Sequence, residues 1–108
     1  MAKKILQINV DYTIPTEEFK ASWMKVAEQI SKQPGLIWKV WIYDDANRHG
    51  GGIYLFDSME HVEAYLESDL VKAFKASPVL SNLSVKIFDI GEEASAITRA
   101  PIGELATA

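Results

Sequence analysis

Leu36-Ile37-Trp38-Lys39-Val40-Trp41-Ile42-Tyr43-Asp44 is the stretch whose reading decides the fold. Its β-branched and aromatic residues favour an extended strand. Successive strand residues face opposite sides, so Trp38, Val40 and Ile42 point one way and Lys39, Trp41 and Tyr43 the other. Apart from Lys39 both sides are apolar, so both must be covered. Upstream, Pro34-Gly35 stops the preceding element and turns the chain. Downstream, Asp45 to Gly50 reads as a turn, and Gly51-Gly52 leads into a third strand, Ile53 to Phe56. The pair forms a hairpin with a loop of several residues.

Working outward, Lys4 to Tyr12 alternates with period two: Leu6, Ile8, Val10 and Tyr12 share one face, and Gln7, Asn9 and Asp11 the other. Pro15 ends that strand. Thr16 is expected as an N-cap, with Glu17 and Glu18 in the first helical turn. The helix runs to about Lys32, with Phe19, Trp23, Val26, Ala27 and Ile30 as its apolar stripe. After the hairpin, Asp57 or Ser58 caps a second helix, with Glu60 as capping-box partner of Asp57 and Met59, Val62, Tyr65 and Leu66 as its buried face. Ser68-Asp69 interrupts it, and Leu70 to Ala76 adds a further turn or two before Pro78. Leu83 to Ile90 reads as the fourth strand.

The order strand, helix, strand, strand, helix, strand is the split βαβ arrangement. The expected architecture is α+β and ferredoxin-like: a four-stranded antiparallel sheet with two helices on one face, in a single domain spanning 1–108. Residues 92–108 are expected to form a C-terminal arm or a flexible tail. The helices leave one sheet face bare, and that face must carry one of the two apolar sides of the second strand. A monomer rarely exposes such a patch. A homodimer, with two sheets stacked into a dimeric α/β barrel, is therefore expected.

Composition narrows the function classes. The 108 residues are 48% hydrophobic and 24% charged, with a net charge of -4. No basic stripe is present to neutralise phosphates, so nucleic acid is not an expected partner. The absence of cysteine rules out disulfides and thiolate chemistry in this chain and fits a cytoplasmic setting. No apolar run approaches the roughly 18 residues of a membrane span, and Asn9 and Asp11 interrupt any signal-peptide core.

Four segments carry a family resemblance: Pro34-Gly35-Leu36-Ile37-Trp38-Lys39-Val40-Trp41, Gly51-Gly52-Ile53-Tyr54-Leu55-Phe56, Ala64-Tyr65-Leu66-Glu67 and Lys86-Ile87-Phe88-Asp89. Together they resemble the YdhR family, whose monooxygenase activity is largely inferred from fold. The resemblance runs from the first strand to about Ile97. It implies a dimeric α/β barrel and kinship with small cofactor-free monooxygenases of aromatic polyketide biosynthesis. More distantly it implies kinship with haem-degrading enzymes that use an Asn, a Trp and a His. Asn9, Trp38 or Trp41, and His49 or His61 are present, but no local motif maps that trio onto them.

Asn9, His49 and His61 are the candidate catalytic groups, for hydrogen bonding or for proton transfer by a histidine facing a pocket. Neither histidine has metal-ligand spacing, so no metal is expected. His49-Gly50-Gly51-Gly52 precedes a strand instead of a helix, so it reads as a hairpin loop in preference to a phosphate cradle, and no cofactor is expected. Trp23, Trp38, Trp41, Tyr54 and Tyr65 either pack the core or line a pocket for a planar small molecule. Trp38 and Trp41 have opposite parity, so at most one of them faces the helices. Lys39 is open to two roles: stacking on an aromatic across a dimer or pairing with Asp11 or Asp89, against a catalytic amine. The function expected is cofactor-independent monooxygenation of a small phenol or enol. The alternatives are a non-catalytic dimeric binding protein, or an isomerase or cyclase using the same pocket.

Overall fold

A computed structural model of the chain describes residues 2–103. The strands are β1 (Lys4–Tyr12), β2 (Leu36–Asp44), β3 (His49–Phe56) and β4 (Leu80–Asp89). The helices are α1 (Thr16–Ser31), α2 (Met59–Leu66), α3 (Asp69–Ala76) and α4 (Glu92–Ile97). The strands form one antiparallel sheet in the order β2-β3-β1-β4. This is the ferredoxin-like arrangement, with the second helical segment split into α2 and α3. No helix among the described residues is long and apolar enough to cross a membrane.

The alternation of β1 sets the inner face. Leu6, Ile8, Val10 and Tyr12 are all buried. With Tyr54 and Phe56 of β3 they meet Phe19 and Ile30 of α1, Val62 and Tyr65 of α2, and Leu70 and Val71 of α3 in two adjoining clusters. Fully burying side chains of this size contributes about 1.5–3 kcal/mol each, offset by the ordering of the chain.

The helix starts follow the sequence expectations in part. Thr16 does not cap α1. Its hydroxyl is bonded to the Tyr12 hydroxyl at 2.7 Å and to the Asp45 carboxylate, so Pro15 is the N-cap. Ser58 caps α2 by accepting the His61 N–H at 3.3 Å, and Asp57 is turned to the His61 ring, so the Asp57–Glu60 box does not form. The Ser68-Asp69 interruption is a fresh cap, with Ser68 accepting the Val71 N–H of α3 at 3.3 Å. β4 also starts earlier than expected, at Leu80, and its register with β1 shifts between Asn9 and Asp11.

A second register shift lies between Leu36 and Trp38 of β2, opposite Phe56 and Leu55. It leaves Leu36 against the core, while Trp38 joins Leu55 on the outer face. There the Trp38 indole N–H donates to the Pro101 carbonyl at 2.7 Å, and Ile102 is buried. Of the expected arm or tail, residues 92–103 hold α4 and this contact with Trp38, and 104–108 lie outside the described residues. Elsewhere on the outer face apolar side chains stay open beside the polar Gln7, Asn9 and Asp11, with Val40 51% and Phe88 46% exposed.

At Gly51 the neighbouring strand comes very close. A side-chain carbon there would lie 1.9 Å from the Ile8 carbonyl oxygen, and the backbone has φ +155°. Gly51→Ala should therefore lower stability by about 1–3 kcal/mol or more in urea unfolding, as an overpacked site does.

Candidate functional site

Between the sheet and the helices lies a cavity of about 230 Å³, partly open to solvent. β1 supplies Ile8 and Val10, and α1 supplies Phe19, Trp23 and Val26. β2 supplies Lys39 and Trp41, β3 Gly52 and Tyr54, and Phe74, Leu80 and Leu83 close the far side. The wall is aromatic because the α1 stripe and the inner parity of β2 converge. The Trp23 and Trp41 ring centroids are 5.4 Å apart, and Phe19 meets Trp23 edge-on at 5.2 Å. Phe19 in turn stacks on Tyr12 at 3.9 Å. Such offset and edge contacts fix the rings by their quadrupoles as well as by burial.

One cation enters this wall. Lys39 lies opposite Tyr54 across the β2–β3 ladder, and Trp41 lies opposite Gly52. The lysine stem crosses the space that glycine leaves free: a side-chain carbon on Gly52 would sit 2.3 Å from Lys39 Cε. The ammonium position is 3.4 Å from the Trp41 ring centroid and 4.5 Å from that of Tyr54. Neither Asp11 nor Asp89 reaches it, so the ion pair expected from the sequence does not form. Asp89 pairs with Lys4, and Asp11 is held on the other sheet face by His49 and Asn82. The aromatic partners of Lys39 lie within its own chain. With no carboxylate partner among the described residues, burial pushes the Lys39 amine down to about 7.

The buried phenols behave in the opposite sense. The Tyr54 and Tyr65 hydroxyls are hydrogen-bonded at 3.0 Å. Burial, and then the neighbouring Tyr65, raise Tyr54 above the usual phenol range, while burial raises Tyr65 to about 12. Both are neutral near pH 7, so Tyr54 offers the cavity a neutral aromatic face braced from behind by Tyr65.

Of the residues singled out from sequence, Trp23, Trp41 and Tyr54 line the cavity and Tyr65 supports it. The others lie elsewhere. Asn9 points to the outer face and accepts from the Gln7 amide at 2.8 Å. His49 also lies on that face, with Nδ1 2.7 Å from Asp11 Oδ1. Hydrogen bonds from Asn82, and next His49, hold the Asp11 carboxyl below its ordinary range. His61 sits 2.6 Å from Asp57 over the turn at Gly35, where a side-chain carbon would strike its ring at 2.3 Å. Its bond likewise lowers the Asp57 carboxyl. Trp38 is engaged with Pro101. Among the described residues no three of His, Cys, Asp and Glu converge to hold a metal ion.

Lys39 is the site residue that the sequence flagged without assigning. Its signal was a lone cation sharing parity with Trp41 and Tyr43. Its depressed affinity for protons has a measurable consequence. Between about pH 7 and the ordinary lysine range near 10.4, the unfolded chain binds the proton that the folded chain has lost, so folding stability rises with pH there. From pH 7 to 9 the gain should reach up to about 2 kcal/mol in denaturant unfolding, and Lys39→Met should flatten that slope.

Similarity to known proteins agrees with this architecture. No curated protein matches the chain. Protein SO0527 from Shewanella oneidensis superposes with a TM-score of 0.69 at 10% identity, covering 82% of this chain and 91% of that one. SnoaB, a cofactor-independent oxygenase from Streptomyces nogalater, gives 0.65 at 15% identity, covering 82% and 92%. The heme-degrader MhuD from Mycobacterium tuberculosis, solved with two hemes in its active site, gives 0.63 at 15% identity, covering 81% and 95%. At these identities the likeness is one of fold. Residues 5–101 match the family described as "Putative mono-oxygenase ydhR", and over that span, nearly its whole length, this chain belongs to the ydhR family.

Proposed function

We propose that the cavity binds a small aromatic or enolic molecule and oxygenates it without a cofactor. The observation that carries this reading is the wall itself: an aromatic, largely apolar cavity whose ionisable groups, among the described residues, are one amine and one neutral phenol. Family membership and the kinship of fold with a protein described as a cofactor-independent oxygenase support it.

In this mechanism Trp23, Trp41 and Tyr54 pack the substrate ring and exclude water. Loss of a proton from the phenol or enol gives an electron-rich anion. That anion passes one electron to dioxygen, and the radical pair combines to a peroxide. Loss of the hydrogen still on that carbon as a proton lets its electron pair form the C=O bond as the O–O bond breaks, so one oxygen stays on the substrate carbon and the other leaves as hydroxide and is protonated to water. Asn9, His49 and His61 lie outside the cavity, so no step is routed through them. Oxygen uptake over a panel of hydroquinones and anthrones tests the proposal. One dioxygen should be consumed per product, with no turnover under anaerobic conditions. Trp41→Ala should lower kcat/KM by about tenfold or more. Turnover without oxygen would favour an isomerase or cyclase, and tight binding without turnover a carrier.

We also propose that the open outer face, with Val40 and Phe88, is covered by a second copy of the chain, which would complete an α/β barrel. Light scattering should then give twice the monomer mass, and Val40→Asp should shift it toward the monomer.

A further inference from the structure

We propose that Lys39 is the catalytic base of this cavity, taking the proton of a phenol or enol and holding the resulting anion as an ammonium–oxyanion pair. The inference rests on the reading of the cavity as an aromatic or enolic site, and it names the group that starts the chemistry.

Three observations carry it. The first is position. Lys39 stands on a central stretch of the β2–β3 ladder and lines the same cavity as Trp23, Trp41 and Tyr54. Groups mounted on paired strands are held more closely than groups on loops. The second is the space made for it. Gly52 has no side chain where the Lys39 stem passes, and a methyl group there would strike Cε at 2.3 Å. The amine is thereby folded inward over Trp41 instead of extending to solvent.

The third is the missing counter-ion. Among the described residues no carboxylate pairs with Lys39, and its close neighbours are the Trp41 and Tyr54 rings. Those ring faces attract a cation but cannot neutralise it. Among the described residues Tyr54 is the one other ionisable group on the wall besides Lys39, and its hydroxyl is bonded to Tyr65. A cationic amine in such a place requires an anion from outside. A neutral acid entering beside a neutral amine avoids the cost of bringing a charge out of water. The substrate O–H or activated C–H bond then breaks, an N–H bond forms on Lys39 Nζ, and the electron pair stays on the substrate. The ion pair is created inside the cavity, where low dielectric strengthens it. Burial, which leaves much of the amine uncharged at neutral pH, supplies the proton vacancy this step needs.

The test uses 4-nitrophenol, whose anion absorbs visible light and whose neutral form does not, with 4-nitroanisole as a probe of the same shape and no acidic proton. Spectra are recorded anaerobically, at a pH just below the probe's own ionisation in water. Bound to the native protein, 4-nitrophenol should show the phenolate band. With Lys39→Met, which keeps similar volume and removes the amine, the bound phenolate should fall by about tenfold or more. Gly52→Ala, which retains the amine but displaces it, should lose the band in the same way. Circular dichroism and 4-nitroanisole binding, expected to persist in Lys39→Met, confirm the intact cavity. Binding as the neutral phenol, or equal ionisation by Lys39→Met, overturns the assignment of Lys39 alone. Failure of the native protein to bind either probe overturns the aromatic-site reading together with it. Because no oxygen is consumed in this experiment, a null result in the oxygen-uptake assay leaves the ionisation result standing.

Discussion

The β2–β3 pairing is the constraint on which the site depends. In an antiparallel ladder the face of every residue is fixed by register, and a slip of one position exchanges both faces at once. Here the register sets Lys39 beside Tyr54 and Trp41 beside Gly52. The irregularity between Leu36 and Trp38 reconciles two demands that a regular strand could not meet. Leu36 stays in the core, while Trp38, two residues on, turns to the opposite face. Without the extra residue Leu36 and Trp38 would share a face, and the tryptophan would displace the lysine from the cavity.

Each sheet face then solves its own burial problem. Inside, α1, α2 and α3 cover the sheet but leave a gap over β1, β2 and β3, where Trp23 and Trp41 meet at 5.4 Å without filling it. That gap is the cavity. Outside, the chain covers part of its own sheet. The segment after α4 crosses back, Pro101 accepts the Trp38 indole proton, and Ile102 is buried. A tryptophan with a satisfied N–H and an apolar body suits such a seam. Val40 and Phe88, beyond its reach, remain the apolar part of that face.

The charged groups are partitioned just as sharply. Both histidines are tied to carboxylates near the surface, His49 to Asp11 and His61 to Asp57. Those pairs stabilise a strand end and a helix start, and neither opens on the cavity. Lys39 differs because its partners are rings. An ion pair would hold the lysine charged, whereas an aromatic and desolvated setting leaves its proton weakly held. The same burial that weakens the fold near neutral pH is what makes the amine chemically available.

Much of this was legible in the sequence. The alternation of Leu6, Ile8, Val10 and Tyr12, the Phe19–Trp23–Ile30 stripe and the Pro34-Gly35 turn specify strand, helix and strand, because local periodicity reports directly on which face is buried. Opposite parity separated Trp38 from Trp41. Parity alone could not say which of them faced the helices, since that depends on the register against β3. Nor could the sequence foresee that Thr16 would be drawn to Asp45, that Ile102 would return to the sheet, or that Asp11 and Asp89 would be claimed by other partners. Each of these is a contact between distant segments, decided by competition for space and hydrogen bonds. Lys39 shows the division best. Its solitude on an apolar strand is visible in the sequence, but its desolvated setting arises only when Gly52, Trp41 and Tyr54 close around it and no carboxylate among the described residues does.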